Sequence, residues 1–94
     1  MDADEAGAIL SSELDELRRA TYEELVARLL DKPATHERTG TSGTVYQVEL
    51  QAFWDDRARQ NIRLMASIDD GGRSALRPPS NDFIRAPDGS FVGE

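Results

Sequence analysis

Ninety-four residues make one small domain, near the lower end of what folds without staples, and the absence of cysteine excludes disulfides, thiolate nucleophiles and Cys-based metal sites. Eighteen acids against eleven bases leave a net charge of −7. That balance argues against a non-specific nucleic-acid binder, whose affinity comes from neutralising phosphates, and against docking on an anionic membrane.

The acidity is concentrated early: residues 1–32 hold nine acids and four bases, residues 33–94 nine acids and seven bases. The N-terminus (Asp2, Asp4, Glu5) lacks the basic-then-apolar order of a signal peptide, and no apolar run approaches membrane-spanning length. A single cytoplasmic domain over residues 1–94 with no membrane role is the expectation, with residues 1–7 frayed.

From Ala8 the pattern turns helical. Ile9, Leu10, Leu14 and Leu17 recur at spacings of three and four, and Ser11 or Ser12 is placed to cap the segment Ala8 to Arg19. Thr21 and Glu24 then have capping-box spacing before the stripe Leu25, Val26, Leu29, Leu30, which predicts a helix from Tyr22 to Asp31, stopped by Pro33. One long helix broken near Ala20 and two short ones both satisfy the pattern. Ala34 to Gly43 (ATHERTGTSG) reads as a polar connector, and its His36 as a solvated loop residue: no nearby Ser or Asp marks a nucleophile or an orienter.

Thr44 to Arg73 organises the chain. Tyr46, Val48, Leu50, Ala52 and Trp54 alternate with Gln47, Glu49 and Gln51, then Ile62, Leu64, Ala66 and Ile68 alternate with Arg63, Met65 and Ser67. Two period-2 runs joined by a short polar link predict an antiparallel hairpin with an apolar even face. Parity requires even to pair with even, so Trp54 opposes Ile62 or Gln60; the first register places Phe53 opposite Arg63.

Asp69-Asp70-Gly71-Gly72 reads as a turn into a short third strand, Ser74 to Arg77, ended by Pro78-Pro79. Ser80-Asn81-Asp82 reads as a turn. Phe83-Ile84 and Phe91-Val92 flank the turn signal Ala86-Pro87-Asp88-Gly89-Ser90, and pack on the sheet's end or form a small terminal hairpin. The economical fold is α+β: an N-terminal helix, or two, packed on an antiparallel β-sheet meander of three to four strands.

Chemical motifs are sparse. Asp55-Asp56 and Asp69-Asp70 fall at opposite ends of the hairpin, so a metal-dependent enzyme would have to assemble them across subunits. Arg57, Arg59 and Arg63 beside Trp54 form the best anion-binding cluster and carry the alternative role of nucleic-acid or anion binding, with pairing to Asp55, Asp56 or a helix acid as the structural alternative. The Gly40–Gly43 and Gly71–Ser74 stretches lack the Lys and spacing of a phosphate loop. No catalytic, cofactor-binding or metal-binding residue is assigned.

The segments YQVE (Tyr46 to Glu49), FWDDR (Phe53 to Arg57), SIDDGG (Ser67 to Gly72) and PDGSFVGE (Pro87 to Glu94) resemble a group of short, uncharacterised bacterial proteins. The resemblance implies a bacterial source and a free-standing domain, and it transfers no functional residue. The expected role is therefore non-enzymatic: a binding or regulatory protein whose partner is another protein or a second copy. Its expected surface is the odd face of the hairpin, where Val45, Phe53 and Met65 mix with Gln47, Gln51 and Arg63.

Overall fold

A computed structural model of the chain describes residues 2–72 and 78–94. Helix α1 runs Ala3–Arg19. Asp2 caps it by accepting the Glu5 N–H at 3.1 Å, with Asp4 and Glu5 in the first turn and Arg18 and Arg19 in the last, as the helix dipole favours. The helix therefore absorbs the acidic segment expected to fray, and Ser11 and Ser12 lie mid-helix instead of capping it. Ala20 is extended, and the Thr21 hydroxyl accepts the Glu24 N–H at 3.1 Å to start helix α2, Tyr22–Leu29. This second helix ends before the predicted Asp31. Leu30 leaves it to bridge Ala52 of the sheet, and Asp31 takes a φ of 57° ahead of Pro33.

The strands are β1 Ala34–Thr39, β2 Val45–Trp54, β3 Ile62–Asp69, β4 Ser80–Arg85 and β5 Phe91–Val92. They pair in sequence order as one antiparallel sheet. The central hairpin takes the first of the two registers that parity allows, with Trp54 opposite Ile62 and Phe53 opposite Arg63.

Among the described residues the sheet has five strands, not the three or four expected. The supposed connector Ala34 to Gly43 contains β1, which turns into β2 through Gly40–Gly43: Gly40 N–H donates to the Thr44 carbonyl at 2.9 Å, and Gly43 takes a φ of 89°. Ser80-Asn81-Asp82, expected as a turn, opens β4 opposite Ser67, Ala66 and Met65. The short strand expected at Ser74 to Arg77 lies outside the described residues.

Parity makes the core. Tyr46, Val48, Leu50 and Ala52 of β2, Ile62, Leu64, Ala66 and Ile68 of β3, and Phe83 of β4 are buried in one cluster with Ile9, Leu10, Leu14 and Leu17 of α1 and Leu25 and Leu29 of α2. Both helices thus lie on the even face, each large apolar side chain contributing about 1.5–3 kcal/mol by leaving water. Arg18 ties the last hairpin to α1. Its guanidinium stands over the rings of Phe83 (4.5 Å) and Phe91 (4.9 Å) and pairs with Glu94 at 2.8 and 2.9 Å. Arg85 stacks on Phe91 and donates to the carbonyls of Arg18 and Ala20 at 3.3 and 3.0 Å, capping the end of α1.

These tethers predict how stability responds to acid. The Arg18 hydrogen bond holds the Glu94 carboxyl below its ordinary value, and the hydroxyl and N–H of Ser90 do the same for Asp88. A carboxyl depressed in the folded state stabilises the fold above its unfolded pKa, and that contribution disappears as pH falls through the folded value. Thermal melts are expected to begin falling near pH 4.5, the ordinary glutamate value, and to continue falling as Asp88 protonates from below 3.8. Glu94→Gln should flatten the upper part of that decline, and an unchanged profile in this variant would remove the Arg18 tether from the account.

Candidate functional site

Two places in the fold carry unspent chemistry, one on each face of the sheet. The first begins with Glu13. It falls on the apolar stripe of α1, three residues after Leu10 and four before Leu17, so the helix drives its carboxylate into the core. Its side chain is 3 % exposed. Edge strand β1 supplies the answer: Ala34, His36 and Arg38 share the even face, opposite Leu50, Val48 and Tyr46. Glu13 Oε1 accepts from His36 Nε2 and from Arg38 Nη1 at 3.1 Å. No buried side-chain polar atom among the described residues is left without a partner.

His36 is therefore not the solvated loop residue expected. It stands on a strand with its ring held by a buried carboxylate, yet its side chain remains 40 % exposed. With Nε2 engaged by Glu13, Nδ1 is the ring nitrogen left outside the pair. The orienter missing from the sequence near His36 is Glu13, 23 residues earlier. The signal that could have found it is an acid on an otherwise apolar helical stripe.

Beside this pair lies a cleft of about 410 Å³ between the end of α1, the end of α2 and β1. Leu17, Ala34 and Leu50 floor it, while Glu16, Arg19, Arg28 and His36 stand around it. A second groove is lined by Arg38 and by Glu5, which accepts from Ser42 N–H (3.0 Å), Ser42 Oγ (2.7 Å) and the buried Tyr46 hydroxyl (3.1 Å). The Ser42 bonds hold the Glu5 carboxyl below its ordinary value, while burial and the Glu5 bond push the Tyr46 hydroxyl up. Gly40 permits this approach, since a Cβ there would lie 1.7 Å from Glu5 Oε1.

The second place is the odd face of the sheet. Val45, Gln47, Gln51, Phe53, Arg63 and Met65 all stand on it, away from both helices. Register groups some of them. Phe53, Arg63, Ile84 and Val92 form one row across β2, β3, β4 and β5, and Gln51, Met65 and Asp82 form a row offset from it by two residues. Val45 is apart, at the far end of β2 opposite Thr39. Ile84 and Val92 were not singled out from the sequence. The alternation that sends Phe83 and Phe91 inward sends these two outward, and only the pairing of β4 with β3 places them beside Phe53.

Arg63, in the middle of the row, bonds Asp55 at 2.8 and 3.0 Å and Asp82 at 2.9 Å, and both bonds push its guanidinium further up. The structural alternative weighed for the arginines is thus seen at Arg63. Arg57 and Arg59 are exposed in the loop between β2 and β3, so the three arginines are not gathered into one free cluster.

The aspartate pairs also find local uses. Asp56 accepts the N–H groups of Gln60 and Asn61, Asp69 that of Gly71 and Asp70 that of Gly72. The two pairs lie at opposite ends of the β2–β3 hairpin, and among the described residues no three His, Cys, Asp or Glu side chains gather as for a metal ion.

Fold and sites together define a two-layer α+β protein whose described residues form two helices on one face of a five-stranded antiparallel meander, with the other face uncovered by any described helix. Compared with known proteins, the chain matches no family, no curated protein and no solved structure. None of its described helices is long and apolar enough to cross a membrane.

Proposed function

We propose that this chain is a non-enzymatic binding protein whose docking surface is the odd face of the sheet. The observation that carries this reading is the apolar cluster Phe53, Met65, Ile84 and Val92, collected at one end of that face by strand register. Arg63 at its centre is paired with both Asp55 and Asp82, so the cluster presents no free cation and one surplus negative charge. The other end of the same face is acidic, with Glu37, Glu49 and Asp69.

The partner is therefore a protein surface with an apolar patch flanked by Lys or Arg. A second copy fits less well. Stacked on a two-fold axis, apolar end on apolar end brings acid onto acid, and the reverse brings acid onto apolar surface; both arrangements oppose association.

The test compares capture from the native host's lysate by wild type, Phe53→Ser, Glu49→Lys and Arg57→Gln. A protein that is retained by wild type and Arg57→Gln, lost with Phe53→Ser, weakened by Glu49→Lys and released by salt is the expected result. Identical recovery by wild type and Phe53→Ser overturns the reading. Sedimentation that finds a wild-type dimer and a Phe53→Ser monomer replaces the basic partner with a second copy.

A further inference from the structure

On the opposite side of the sheet, we infer that the cleft between α1, α2 and β1 binds a small organic monocarboxylate. Its floor is apolar, from Leu17, Ala34 and Leu50, and its volume of about 410 Å³ is in the range of small-molecule sites. Its charge is unlike that of the whole chain. Arg19 and Arg28 make no ion pair or hydrogen bond through their side chains among the described residues, yet both line the cleft. Glu13 is balanced by Arg38, and Glu16 balances only one of the two rim arginines. The lining by itself is balanced, two acids against two arginines, and it is Arg38, pairing with Glu13 from outside the lining, that leaves one positive charge over in a chain whose net charge is −7.

That surplus matches a single negative charge, and a guanidinium presents its N–H fork to the two oxygens of a carboxylate. The buried Glu13 fixes the His36 ring as one wall of the cleft, so the cavity is formed before a ligand arrives. Arg85, by donating to the last carbonyls of α1, offsets the negative end of that helix near the bound anion. A doubly charged phosphate would exceed the surplus and face Glu16.

Amide spectra of the 15N-labelled full chain, titrated at constant ionic strength with hexanoate, acetate, hexanol and inorganic phosphate, test this. Hexanoate is expected to shift residues 34–38 and the end of α2 saturably. Acetate, which lacks the apolar tail, and hexanol, which lacks the charge, should each bind about tenfold more weakly or worse. Arg28→Gln and Arg19→Gln should each weaken hexanoate by about tenfold, the loss of one charge-assisted bond. Arg57→Gln and Phe53→Ser should titrate as wild type, which keeps this site separate from the docking face. Absence of a saturable hexanoate shift, titrations of both cleft arginine variants that match wild type, or tighter binding of phosphate than of hexanoate would each overturn the assignment.

Discussion

Removing both donors to Glu13, as His36→Ala/Arg38→Ala, is expected to lower stability by about 3–5 kcal/mol, the usual cost of a buried charge stripped of its partners. The size follows from the carboxylate, not from the residues removed. Glu13 is 3 % exposed, whereas His36 and Arg38 are 40 % and 34 % exposed and can return to water. Either single change leaves one donor in place and should cost much less. The cleft beside Glu13 can admit water, which places the double variant toward the lower end of the range.

Glu13→Leu makes the contrast. It completes the apolar stripe of α1 and releases the half-exposed Arg38 guanidinium and His36 ring, so it should be close to neutral. Added to the double variant, it should restore most of the lost stability. Urea unfolding of the four proteins reads this directly. A triple variant no more stable than the double would mean that β1 itself, and not the unpaired carboxylate, was lost.

Leu64→Ala is expected to cost about 2–5 kcal/mol, for lost transfer energy and for the cavity left behind. Leu64 is fully buried on β3, flanked by Ala52 and Phe83 on the neighbouring strands. In a domain of this size the total stability is about 5–15 kcal/mol, so the variant should be near unfolding at moderate temperature. Met65→Ala, one residue along, lies on the odd face and should change stability by no more than about 0.5–1 kcal/mol.

The pair is also a check on the docking surface. If Met65→Ala proved as costly as Leu64→Ala, the odd face would be covered in the free protein, and the reading of that face as a binding surface would fail. Urea midpoints at unchanged slope are the measurement.

The central hairpin was legible because its alternation is uninterrupted. Every even residue from Tyr46 to Ala52 and from Ile62 to Ile68 is apolar, and a one-residue slip would set the two apolar faces on opposite sides, so the pattern fixes even opposite even, and the structure selects Trp54 opposite Ile62 over Gln60. The second helix was legible from Thr21 and Glu24, since a capping box is a local bond between residues three apart. Strand β1 was not legible for the opposite reason. Its inward positions carry His36 and Arg38, and a strand whose inner face is polar has no hydrophobic period to read.

What the sequence by itself determined is what depends on neighbours along the chain: the two helical segments, the central hairpin and the parity of its pairing, the terminal turn, and the α+β class. What only the tertiary structure decided depends on residues far apart. Glu13 becomes a buried anchor for His36 and Arg38 because α1 lies across the sheet near its edge. Ile84 and Val92 join Phe53 because β4 pairs with β3 through Arg63 and Leu64. Arg19 and Arg28 face one cleft because the break at Ala20 turns α2 away from α1. The first two of these juxtapositions, and the seating of β1 beside the arginines, each close a long loop of chain. The free energy that closes it is burial summed over the whole core, a quantity no local window of sequence contains.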